Sequence, residues 1–179
     1  MNQRFLYYFN FLAFVPLLVF TTTVRSQGAK FPDRWAYAFL YAFAPSVVFS
    51  ISALAVFTRS DKLWLGTNIW FALLGALALS RAWGPLELLG TMFKESGGFV
   101  TTAIIGFVSC VAAPGSFIGA SRSERSARYA WLLTGIAVAA AAISYVNQGV
   151  RMISIAVPVV VFLGSAFVLR RLLRSSSEA

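Results

Sequence analysis

The chain has 179 residues, 59% hydrophobic and only 12% charged, with a formal net charge of +9 from 15 Lys and Arg against 6 Asp and Glu. A soluble domain is about 45–50% apolar and about 25% charged, so this composition points to lipid as the solvent of the molecular surface. There is no histidine and one cysteine, Cys110, which excludes imidazole metal sites, bis-histidine haem, histidine acid–base catalysis and an intramolecular disulfide.

A membrane helix needs about 20 mostly apolar residues. Six segments of this sequence meet that need, and they predict an all-α fold: a polytopic membrane helical bundle of six transmembrane helices. The first covers about 5–24 and holds Asn10 and Pro16. Arg4 ahead of a greasy stretch also suits a signal peptide, but no small-x-small cleavage site follows, so the segment is read as a retained span. The second, 35–57, carries Pro45 with Ser46 and Ser50 directly after it. The third, 63–80, is short and contains Asn68.

A longer connection follows, and Gly84-Pro85 reads as a helix start because proline suits the first helical position. Leu86, Leu89 and Phe93 then share one face, and Glu87, Thr91 and Lys94 another. This pattern predicts a short interfacial helix between helices 3 and 4, with Glu87 facing a cavity as the functional alternative. The fourth span, 98–120, contains the helix-breaking pair Pro114-Gly115. The fifth is 129–146 and the sixth 152–169, with Pro158 inside it. Residues 1–174 form one transmembrane domain, and 175–179 a polar tail.

The basic residues gather in the connections, as in Arg122, Arg125 and Arg128 or Arg170, Arg171 and Arg174. With six spans, nine Lys and Arg fall on the side of the N-terminus and six on the other. The positive-inside bias therefore places both termini in the cytoplasm, in a plasma (inner) membrane. Scattered loop-end arginines build no groove for nucleic acid, so no nucleic-acid partner is expected. The similar turns Thr58–Lys62 and Ser121–Arg125 hint at duplication, but serine caps with basic flanks also arise independently.

Ionisable groups inside a membrane usually mark proton relays or ion paths. All six acidic residues map outside the span centres. That placement argues against proton-coupled pumps and against intramembrane carboxylate or metal chemistry. No nucleophile–base pair or phosphate loop stands out, so the chain is expected to be non-enzymatic, without cofactor or metal.

The remaining polar candidates for a pathway or for packing are Asn10, Asn68, Ser46, Ser50 and Glu87. The candidate helix breaks are Pro16, Pro45, Pro114, Gly115 and Pro158, since each interior proline removes a backbone hydrogen bond. Gly115 and Gly119 with the alanine-rich faces suit close contact with a second copy or another membrane protein; the bilayer is the first partner. These features favour a small-solute or ion permeation or transport protein. The alternative is a non-catalytic accessory or assembly subunit of a larger membrane complex.

Overall fold

The computed structural model describes residues 13, 15–26, 33–55, 62–93, 96–113, 115–118, 123–150 and 152–175. Every regular element among them is helical: α1 (Val15–Ser26), α2 (Asp33–Ala55), α3 (Leu65–Leu79), α4 (Trp83–Phe93), α5 (Gly97–Ala112), a 3₁₀ turn (Ser116–Ile118), α6 (Glu124–Val146), a π-helical turn (Met152–Ala156) and α7 (Val157–Ser175).

Local chemistry sets several boundaries. The Ser123 hydroxyl accepts from the Ser126 amide at 3.0 Å, and the Ser126 hydroxyl accepts from the Ser123 amide at 2.9 Å. This reciprocal cap satisfies two donors that the helix start leaves over, and Glu124 in the first turn complements the dipole. Helix α6 therefore starts at Glu124, several residues before the Tyr129 expected from hydropathy.

At the end of α3, the Ala82 amide donates to the Leu77 carbonyl at 2.9 Å and the Arg81 amide to the Ala78 carbonyl at 3.2 Å. That bond pair is a Schellman cap, whose turn residue must be left-handed. Arg81 fills the position, at φ 55°. Helix α5 stops at Ala112 because Ala113 precedes Pro114, which disfavours the helical backbone there, and Ala113 leaves it at φ −149° and ψ 79°. The π turn precedes Pro158, whose ring displaces the carbonyl four residues back and offers it no amide.

The helices pack in series: α1 on α2, α2 on α3, α3 on α5, α5 on α6 and α6 on α7. Helix α3 lies in the middle and buries Leu65, Asn68, Trp70, Phe71, Leu74 and Ala78. Phe20 of α1 joins Phe39 of α2 and Phe71 of α3, with ring centroids 4.7 and 4.9 Å away. A second core unites Phe117, Leu133, Phe162 and Leu169 across the 3₁₀ turn, α6 and α7.

Small residues allow the closest crossings. Gly66 of α3 lies against the Thr102 backbone of α5, and Gly97 of α5 against the Trp70 ring. There the Thr101 hydroxyl also donates across to the Gly66 carbonyl at 2.7 Å. Helix α4 is tied in by the Trp70–Phe93 edge contact at 5.9 Å and by Gln148, whose side-chain amide donates to the Met92 carbonyl at 3.0 Å.

The structure corrects the six-span expectation. Among the described residues three helical stretches are long and apolar enough to cross a bilayer: Trp35–Leu54, Glu124–Val146 and Met152–Leu173. A fourth is reached if α4 and α5, bent by 86° at their break, count as one span. Hydropathy counts apolar side chains, whereas crossing depends on unbroken helix length at about 1.5 Å per residue.

Helix α3 keeps only 15 residues, about 22 Å, against a hydrocarbon layer of about 30 Å. The expected fourth span loses its last turns to the break after Ala112. The described part of the first is 12 residues, Val15–Ser26; residues 5–12 lie outside the described residues. A short helix does follow the third apolar segment, as α4. The count that put both termini on one side presupposed six crossings and loses its basis with them. What stands is an all-α protein with several long apolar helices, consistent with a membrane-associated helical protein.

Candidate functional site

Two interior features concentrate the chemistry: a level of buried polar side chains between α1, α2 and α3, and a cavity beside it.

Gly75 of α3 seats against Phe39 and Phe43 of α2, and Leu65 clusters with Phe49 and Ala53. The two helices thus run antiparallel, and their register sets Ser46 and Ser50 at the height of Asn68. Asn68 is 1% exposed, Ser46 0% and Ser50 8%. The Asn68 side-chain amide donates to the Ala13 carbonyl at 3.2 Å and to the Trp64 carbonyl at 2.8 Å. Asn68 Oδ1, Ser46 Oγ and Ser50 Oγ have no hydrogen-bond partner among the described residues. A buried polar atom left unpaired costs about 1–3 kcal/mol, so three at one height are a concentrated polar demand inside an apolar bundle.

The cavity encloses about 150 Å³ and draws its walls from α1, α2, α3, α5 and α7 with the turn before it. Leu17, Phe20 and Thr21 come from α1, and Trp35 and Phe39 from α2. Helix α3 and the residues before it add Leu63, Trp64, Thr67, Trp70 and Phe71. Gly98, Phe99 and Thr102 of α5 face Ile155, Val159, Phe162 and Leu163 across the space.

Among the described residues the side-chain hydroxyls on these walls belong to threonines. Thr21 donates to the Leu17 carbonyl at 2.8 Å, and Thr102 to the Gly98 carbonyl at 2.7 Å. Thr67 meets the Thr102 hydroxyl at 3.4 Å. Among the described residues no charged side chain lines the cavity, so the space offers dispersion contacts and aromatic faces with little polar contact.

The expected site residues divide between these features and the periphery. Asn68, Ser46 and Ser50 are buried at one height, but none of them lines the cavity. Glu87 is exposed on α4, where its backbone carbonyl accepts from the Thr91 hydroxyl at 2.7 Å; it faces no interior space. Pro16 is buried as the second residue of α1, and Pro158 is buried where the π turn runs into α7, leaving the carbonyl four residues back without its amide. Pro45 sits well inside α2.

Gly115 is buried at φ 91°, in a turn and not on a helix. The Gly115–Gly119 spacing therefore presents no helical small-residue face at Gly115. Asn10, Pro114 and Gly119 lie outside the described residues. Among the alanine-rich positions, Gly135 points to open space and Ala139 is exposed, while Ala137 and Ala141 are buried.

The cavity residues were not legible as a group. Trp35 and Trp64 are half-buried and line the cavity. No local signal marks them: Thr67 meets Gly98 and Thr102 only because α3 crosses α5. Among the described residues, no three His, Cys, Asp or Glu side chains gather closely enough to hold a metal ion. Comparison with known protein families, curated proteins and solved structures finds no match.

Proposed function

We propose that this chain is a non-catalytic accessory or assembly subunit of a larger membrane complex. The observation that carries the reading is the character of the interior. Its cavity has apolar walls, its wall hydroxyls already hold protein partners, and Asn68, Ser46 and Ser50 are sealed away from it. A polar solute crossing such a space would shed its hydration shell without replacement, at several kcal/mol. Helices α6 and α7 meanwhile expose apolar rows, among them Leu132, Val138, Val160 and Phe167, which suit lipid or the helices of a partner. Gentle-detergent purification of the tagged protein from its native membrane tests the reading. A membrane partner in fixed stoichiometry is expected; a homogeneous lone protein that carries solute flux in liposomes would overturn it.

One observation favours the second reading, small-solute or ion transport: the three unpaired polar atoms at the Asn68 level. On that reading the level is a polar station, and Asn68→Leu lowers flux through proteoliposomes. Unchanged flux in that variant would remove Asn68 from any pathway.

A further inference from the structure

The cavity's size, walls and surroundings specify a ligand independently of the function proposed above. An apolar cavity of about 150 Å³ stays dry and takes up molecules such as benzene or xenon. This one has that volume and is partly open to the outside of the bundle. Its threonine hydroxyls are directed at protein oxygens, and a polar ligand would lose its hydrogen bonds to water without recovering them.

The wall toward α1 is an aromatic array, with Phe20 and Trp35 centroids 5.6 Å apart and Phe20 and Phe39 at 4.7 Å. Such a wall gains dispersion energy from any hydrocarbon laid against it. Between their charged ends the outward faces of α6 and α7 are apolar, which suits hydrocarbon as the medium around the middle of the bundle. The molecule best placed to fill a dry, partly open space in that medium is a lipid tail.

We infer that the cavity between α1, α2, α3, α5 and α7 holds the terminal segment of a membrane lipid's acyl chain, gripped between Phe20, Phe39 and Thr102 on one side and Val159 and Leu163 on the other. The bound tail fills space that the protein's own side chains leave, and it fastens α7 to the α1–α3 half of the bundle.

The test uses the full chain in nanodiscs whose lipids are deuterated except at the terminal acyl methyl, with Leu and Val methyls of the protein labelled. Nuclear Overhauser contacts from the lipid methyl to Leu63 and Leu163 are expected, because Leu63 is 2% exposed and is reached only from inside. Val160 and Val161, which are outward and exposed, serve as positive controls for bulk lipid.

Val159→Phe should remove the Leu63 and Leu163 contacts and leave those at Val160 and Val161. If that variant does not fold, Gly98→Leu fills the same space from α5. Contacts at Val160 and Val161 with none at Leu63 and Leu163 would overturn the inference, as would interior contacts that survive either cavity-filling variant. Added benzene that reaches Leu63 and Leu163 where the lipid methyl does not would also overturn it, in favour of a free hydrocarbon.

Discussion

The α3–α5 crossing can be tested with a single methyl group. A Cβ on Gly66 would overlap the Thr102 backbone and lie 2.7 Å from Thr102 Oγ1, closer than such atoms approach. Backbone cannot rotate away as a side chain can, so Gly66→Ala must push the helices apart. Overpacking of this kind costs about 1–3 kcal/mol. Separation also stretches the Thr101 hydroxyl bond to the Gly66 carbonyl, worth about 1 kcal/mol.

Against this, alanine gains about 1 kcal/mol of helix propensity over glycine. The balance is a loss of about 1–3 kcal/mol, or a fall in Tm of roughly 2–12 °C for a chain of this size. The controls are Gly135→Ala and Gly164→Ala, where an added Cβ meets nothing within 4 Å. Only the propensity gain applies there, so both should melt up to about 4 °C higher than the parent. Thermal melts in one detergent decide the matter. Gly66→Ala melting at or above Gly135→Ala would refute the close crossing.

Two other substitutions probe separate links. Ser123→Ala removes one half of the reciprocal cap on α6, so it should cost about 1 kcal/mol and speed amide hydrogen exchange at residues 124–127 with α7 unaffected. Unchanged exchange would mean that the cap contributes nothing. Asn68→Leu deletes the side-chain donor to the Ala13 and Trp64 carbonyls but also an unpaired buried acceptor. These effects oppose each other, so denaturant unfolding should show a net change within about 1 kcal/mol; a loss several times larger would show Asn68 Oδ1 to be strongly bound in the native state.

The positions of the helices were legible in the sequence, and their status as crossings was not. The apolar segments 35–57, 63–80 and 129–146 all contain helices, since runs of Leu, Ala, Phe and Val bury well in either lipid or protein. Hydropathy cannot separate those two fates. Helix α3 is apolar because neighbouring helices cover it, and it ends at a hydrogen-bonded corner that no apolar count reveals. The break after Ala112 was foreshadowed by Pro114-Gly115, yet the segment around it stayed greasy enough to read as one span.

The polar level was legible in part, because Asn68, Ser46 and Ser50 stand out against apolar neighbours. The cavity was not. It depends on which faces of five helices meet, and residues such as Thr67 and Val159 differ in no local way from their surroundings.

The corner at Arg81 has an implication for the edge of the molecule. A left-handed backbone costs an ordinary side chain about 1–2 kcal/mol, a penalty glycine escapes. An exposed guanidinium is nevertheless held there, at φ 55°. The backbone that carries this charge is fixed by the two hydrogen bonds of the cap. The cation therefore leaves the surface at a set point where α3 hands over to α4, and Arg81→Gly would give up that charge while relaxing the backbone.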